Sequence, residues 1–142
     1  YFTAPLYAGS RESRDTIMQL DVFREVLEKL RGVDALAMAA GDISKNSLLM
    51  RDGLPGDVTM DELRALGAVG DVLGVVIDAD GHPIAHPINE RVIGIDLGPI
   101  PNVILAAGGP HKVSVVRAVL KRGVVNTLVT DEATARALLG SG

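Results

Sequence analysis

Apolar residues in this chain recur either in short unbroken runs or at helical spacing, and the two patterns alternate. Residues 1–7 are mostly apolar but interrupted by Pro5, which fits an edge strand or its exit. Ser10 can cap a helix, and after it Ile17, Leu20, Phe23, Val26, Leu27 and Leu30 are separated by charged residues. That spacing predicts one amphipathic helix, closed by Gly32, with its charges on a solvated face. Residues 35–40 form an uninterrupted apolar run of small side chains, which predicts a strand covered on both faces and stopped by Gly41-Asp42. A polar loop at 44–47, a short piece at 48–50 and a turn at Arg51-Asp52-Gly53 follow. Thr59 and Glu62 have capping-box spacing, predicting a short helix through Leu66. Residues 72–77 read as the next strand, Asp78–Gly81 as a tight turn, and 82–88 as the extended, proline-punctuated arm of a hairpin. Another short apolar piece spans 92–97.

The clearest signal is the stretch 103–112. Five apolar residues lead into Gly108-Gly109, and Pro110 opens a pattern apolar at Val113, Val116, Val119 and Leu120: a strand, a glycine turn and a helix. Gly123 stops that helix, 124–129 reads as a further strand, and Thr130 is placed to cap a last helix opened by Asp131 and Glu132 and running to Leu139. Strand and helix thus alternate, which calls for an α/β fold: a mostly parallel, Rossmann-like sheet with helices on both faces and a local antiparallel excursion. No internal repeat or dividing linker is visible, so residues 1–142 read as one unit.

Candidate chemistry gathers at the strand ends. Two glycines allow a tight turn that brings bare N–H groups near a ligand, and the helix start adds a partial positive charge. Lys112 adds a full one, so Gly108, Gly109 and Lys112 would suit a phosphate, carboxylate or polyol. Gly41, Asp42 and the loop to Ser47 lie just past the carboxyl end of a buried strand, where open α/β sheets hold ligands. Asp71, among small residues at a strand entry, needs a hydrogen-bond partner if buried: it either caps a turn or faces a ligand.

Composition narrows the remaining classes. With 142 residues, 47% of them apolar, the chain can bury a real core; only four aromatics and no Trp make that core aliphatic. A net charge of −4 argues against a phosphate-binding face for nucleic acid and gives no support to membrane-surface binding. The absence of Cys removes disulfides, thiolate catalysis and zinc-thiolate sites, and is compatible with a reducing cytoplasm. No membrane span or secretory leader is visible, and a start at Tyr1 without Met fits a piece of something longer. His82 and His86 have metal-like spacing, but Pro83 and Pro87 forbid a helix there, and in an extended chain the two lie about 13 Å apart at roughly 3.3 Å per residue. The acidic turn at Asp78–Gly81 lacks the later ligands of a calcium loop. There is no dinucleotide fingerprint, P-loop or nucleophile elbow. No metal, cofactor or catalytic set is expected.

Several ordered motifs carry a family likeness: GAVGDVLG (67–74), DADG (78–81), HPIN and RVIGI (86–95), IPNVILAAGGPHK (100–112) and NTLVTDEATARALL (126–139), with APLYA (4–8) and VFREVLEKLRGVD (22–34) upstream. Together they resemble the effector-binding domain of SorC/DeoR-type sugar-responsive transcriptional regulators over nearly the whole chain. The resemblance implies a bacterial cytoplasmic protein with an amino-terminal helix-turn-helix, a fold related to sugar-phosphate isomerases and deaminases, and a sugar, polyol or sugar-phosphate effector. It further implies that Asp71 and Lys112 hold the ligand and that the loop from Gly41 to Ser47 lines the pocket. Relative to such regulators, this chain would be the C-terminal part of the effector domain. The DNA-binding domain and the first strand–helix units are absent from it, and its connection from Leu97 to Ile100 is short. DNA contact would then belong to the missing domain, and a truncated sheet edge favours a homo-oligomer, a dimer or tetramer. Three functions compete at this point: a non-catalytic effector sensor, an isomerase- or deaminase-like enzyme with Asp71 as base and Lys112 as electrostatic stabiliser, and a scaffold or dimerisation module.

Overall fold

The computed structural model describes residues 4–44, 47, 49, 53–94 and 100–140. In chain order its elements are α1 (Arg11–Gln19), α2 (Asp21–Arg31), β1 (Ala35–Met38), β2 (Ala40–Asp42), α3 (Met60–Ala65), β3 (Gly70–Val72), β4 (Val75–Ile77), a 3-10 helix at Pro87–Arg91, β5 (Asn102–Ala106), a 3-10 turn at Pro110–Lys112, α4 (Val113–Lys121), β6 (Thr127–Val129) and α5 (Glu132–Leu139). Strands β1, β5 and β6 form a parallel sheet with β5 central, and β2, β3 and β4 form an antiparallel sheet with β3 central.

The stretch expected to be one helix is two. Ser10 caps α1 by accepting from the Ser13 N–H at 3.1 Å. At Leu20 the backbone turns extended (φ −62°, ψ 137°), and the Leu20 carbonyl restarts the ladder by accepting from the N–H groups of Phe23 and Arg24. Tertiary anchoring accompanies the break: the Arg14 Nε donates to the Val92 carbonyl at 3.3 Å, and Arg11 faces Glu90 at 3.8 Å, which ties α1 to the 3-10 helix. α2 carries no buried residue.

The apolar run 35–40 divides at Ala39, because its two halves serve different sheets. β1 pairs in parallel with β5, setting Leu36 against Val103 and Met38 against Leu105. β2 pairs antiparallel with β3, setting Gly41 against Asp71. The expectation of cover on both faces is also corrected. Met38, Val103 and Leu105 are buried on one face of the parallel sheet, while Ala35, Ala37, Asn102 and Ala106 on the other are exposed. Buried Val115, Val116, Ala118 and Val119 of α4 fill the covered face, joined by Val72 and Ile77 from the antiparallel sheet.

Residues 72–77 form a hairpin and not one strand. Leu73 (φ 51°) and Gly74 (φ 84°) both take positive φ, the two-residue turn whose twist matches antiparallel strands. A leucine in that region is strained, and two bonds hold the turn: the Tyr7 hydroxyl donates to the Gly74 carbonyl at 2.6 Å, and the Gly74 N–H donates to Asp71 Oδ2 at 3.1 Å. Asp71 therefore lies inside a strand and not at its entry. The far side of this sheet packs Val76 against Leu63, Ile84, Ile88 and Val92 in a second core.

After the Asp78 turn only Ile77 and Pro83 bridge, and Pro87 then starts the 3-10 helix, so no full hairpin arm forms over 82–88. Asn89 holds the helix against β4, accepting from the Val76 N–H and donating to the Val76 and Ile84 carbonyls at 2.8–3.0 Å. His86 caps it through Nδ1 and reaches Glu62 through Nε2 at 3.0 Å, while the His82 N–H serves the Asp78 turn. The two histidines share no ligand position, and no potential metal cluster exists among the described residues. Of the last elements, β6 begins only at Thr127, and Asp131 caps α5 in place of Thr130, accepting from the Thr134 N–H at 2.8 Å. The expectations placed on Lys45, Asn46, Leu48, Met50, Arg51, Asp52, the 95–97 end of the apolar piece and the Leu97–Ile100 connection lie outside the described residues.

Two substitutions test this packing. Leu105→Ala, at a fully buried site, should lower unfolding free energy by about 2–5 kcal/mol. Tyr7→Phe should lower it by roughly 1–3 kcal/mol by leaving the Gly74 carbonyl unpaired. Denaturant titration measures both, and a neutral Tyr7→Phe would show that the turn does not need this bond.

Candidate functional site

A cleft of about 540 Å³ opens where the two sheets diverge. β2 supplies Ala40, Gly41 and Asp42, β3 supplies Asp71, and the turn before α4 supplies His111 and Lys112. Leu6, Ala39, Leu49, Gly53 and Ser47 complete the lining. Five of the residues picked from sequence, Gly41, Asp42, Ser47, Asp71 and Lys112, are thus brought together. Gly108 and Gly109 are not on the lining. Gly109 lies behind it, and the N–H that the glycine turn was expected to offer a ligand instead donates to Asp131 Oδ2 at 2.6 Å and to Thr134 Oγ1 at 2.8 Å.

Asp71 is buried, and its position depends on what faces it. A Cβ at Gly41 would collide with Asp71 Oδ1, so the carboxylate occupies space that only glycine leaves. Burial raises its carboxyl above the ordinary 3.8; the Gly74 N–H and the charge of Lys112 oppose that rise, and neighbouring Asp42 adds to it. The carboxylate both closes the β3–β4 turn and borders the cleft, so the two alternatives read from sequence coexist in position. Asp42 is also buried. Burial pushes its carboxyl up, but hydrogen bonds from Ser44, including its N–H at 2.9 Å, and the nearby His111 together hold it below its ordinary value.

Lys112 is half-buried, and no described residue forms an ion pair with its ammonium. The arrangement is a mixed wall: one ammonium and one imidazole on the α4 side, two carboxylates on the strand side, and an apolar floor. Cations can pair with a phosphate or donate to hydroxyls, and carboxylates accept from hydroxyls, so a polyhydroxylated ligand can be held from both sides. His111, unlike His82 and His86, has no metal-like spacing, and the sequence alone assigns it no role. Its adjacency to Lys112 behind the glycine turn was the available signal.

Residues 1–140 match the family described as "Putative sugar-binding domain". The chain belongs to this family. It is 31% identical to the transcriptional regulator LsrR of Klebsiella pneumoniae, over 96% of this chain and 44% of that protein. It is 28% identical to the erythritol catabolism regulatory protein EryD of Brucella abortus, over 96% of this chain and 44% of that protein. Among solved structures, a DeoR family transcriptional regulator from Listeria monocytogenes superposes with a TM-score of 0.88 at 27% identity, covering 97% of this chain and 57% of that one. The likeness to SorC/DeoR-type regulators and the α/β fold class expected from sequence agree with these matches. The chain spans under half the length of the curated relatives, which are transcriptional regulators. No described helix is long and apolar enough to cross a membrane.

The carboxyl groups behind and within the cleft should titrate apart. Hydrogen bonds from Thr134 and Gly109 hold Asp131 down to about 2, whereas Asp71 sits above 3.8. Carboxyl-carbon NMR should order them so. Because the Asp131 value is depressed on folding, its stabilising contribution is full above about pH 4 and lost as pH falls toward 2. The melting-temperature gap between the native protein and Asp131→Asn should therefore close across that window; a gap independent of pH would contradict the assignment.

Proposed function

We propose that the cleft binds a small polyhydroxylated effector, a sugar, polyol or sugar phosphate, and performs no reaction on it. The observation that supports this most directly is that Lys112 and Asp71, from different sheets' turns and strands, border one cleft of suitable size. Lys112 supplies a cation for a phosphate or donors for hydroxyls, and Asp71 accepts from hydroxyls. Asp42 and Ser47 extend the polar wall, and Gly41 leaves the space that the Asp71 carboxylate occupies. Family membership supports a sugar-type ligand, and the name of the Brucella relative supports a polyol.

In the longer protein the effector would shift the balance between states that differ in DNA affinity, the DNA being held by a separate N-terminal domain. Such a regulator works in the bacterial cytoplasm as a homo-oligomer. The open face of the parallel sheet, with Ala35, Ala37 and Ala106 exposed, is the surface that further strand–helix units of that protein would cover.

Calorimetric titration of the intact regulator with erythritol, sorbitol and their phosphate monoesters tests the reading. Lys112→Met should remove about 1.5–3 kcal/mol of binding, about 10- to 150-fold, for a phosphorylated effector while leaving the fold intact. Asp71→Asn should weaken the binding of unphosphorylated polyols as well. Unchanged affinity in folded Lys112→Met would remove Lys112 from the site, and turnover of any probe would favour the enzyme. The 142-residue piece alone should bind more weakly than the intact protein; equal affinity would show that the upstream units contribute nothing to the pocket.

A further inference from the structure

We infer that Asp131 and Thr134, which do not line the cleft, are positioning residues that fix the Gly108–Gly109 turn and through it hold His111 and Lys112 in the binding wall. This inference rests on the sugar-binding reading of the cleft and extends it to a second row of residues.

The geometry is a closed set of bonds between two turns that leave the parallel sheet side by side. β5 and β6 end together, with the Ala107 N–H donating to the Val129 carbonyl at 3.0 Å. From there one chain enters the glycine turn and the other enters α5. Asp131 Oδ1 accepts from the Thr134 N–H at 2.8 Å, and Oδ2 accepts from the Thr134 hydroxyl at 2.8 Å and from the Gly109 N–H at 2.6 Å. The Thr134 hydroxyl also accepts from that N–H at 2.8 Å, and Thr134 is fully buried. Gly108 leaves the space: a Cβ there would collide with Asp131 Oδ2.

Gly109 then transmits the constraint. Its φ of 104° suits glycine and not residues with a Cβ, and an added Cβ would lie 2.7 Å from His111 Cε1, so the imidazole packs on the bare Cα. Its carbonyl accepts from the Lys112 N–H at 2.9 Å. Both cleft residues of this turn therefore rest on Gly109, and Gly109 is tethered by Asp131 and Thr134. An ammonium on a long side chain has many rotamers, and a fixed backbone origin limits how far its mean position can stray from a ligand oxygen.

The test uses the full-length regulator with sorbitol 6-phosphate and inorganic phosphate as probes, and hydrogen exchange of the peptide containing Gly109 as a readout that needs no ligand. Asp131→Asn keeps a helix cap but lacks one acceptor oxygen; Thr134→Val loses the hydroxyl, and Thr134→Ser restores it. Thr134→Val and Asp131→Asn should exchange at Gly109 at least tenfold faster and bind the probes about tenfold more weakly, with Thr134→Ser near the native protein. In a Lys112→Met background the same changes should cost less than they do in the native protein, because only His111 is left for them to position. Unaltered exchange, fast exchange with native affinity, or an equal loss in both backgrounds would each overturn the proposal. If neither probe binds the native protein, the sugar-site reading fails and takes the functional half of the proposal with it, while the exchange rates still decide whether Asp131 and Thr134 hold the turn.

Discussion

One buried carboxylate sets the terms for the region around the cleft. Asp71 sits in the central strand of the antiparallel sheet, where an unpaired charge would be costly, and its burial is tolerated through an arrangement of specific partners. The Gly74 N–H bonds one oxygen, the absence of a side chain at Gly41 makes room for the other, and Lys112 lies close enough to favour the ionised form. The same Gly74 carries the positive φ of the hairpin and accepts the Tyr7 hydroxyl through its carbonyl. Turn, strand and cleft wall therefore form one unit.

The split of the strands into two sheets places that unit. Ala39 and its small neighbours let the chain leave the parallel sheet after Met38 and enter the antiparallel one at Ala40, opening a gap where the sheets part. α4 fills the interior behind the gap with valines, so the helix that follows the glycine turn serves as core on one side and as support for Lys112 on the other. Shape-specific aliphatic packing and a polar wall are thus built from consecutive residues.

Much of this was legible along the chain. Residues 103–112 announced a strand, a glycine turn and a helix because an unbroken apolar run, two glycines and a proline leave few other conformations. Thr59 and Glu62 form the capping box their spacing called for, with both reciprocal bonds made. The ordered motifs identified the family, since several matches in sequence order are far more specific than any one glycine pair. Lys112, Asp42, Gly41 and Ser47 could be named as candidates from their places after the carboxyl ends of strands, and Asp71 from the family likeness.

Sequence by itself determined the local signals: apolar period, caps, turn residues, and the charge at the start of α4. These depend on neighbours within a few positions. What tertiary structure decided were choices among partners distant in the chain. Leu20 interrupts a helix whose periodicity is unbroken, in a segment where Arg14 and Arg11 tie α1 to the 3-10 helix. Residues 72–77 could be one strand or two, and the Tyr7 and Asp71 bonds to Gly74 hold the hairpin in which Leu73 accepts positive φ. Gly109 was read as a donor to a ligand, whereas its N–H is taken by Asp131 and Thr134 on the neighbouring turn. In each case the local sequence allowed both outcomes, and the one found is accompanied by a hydrogen bond from a residue far along the chain, since a polar group that leaves water finds its partner wherever the fold supplies it.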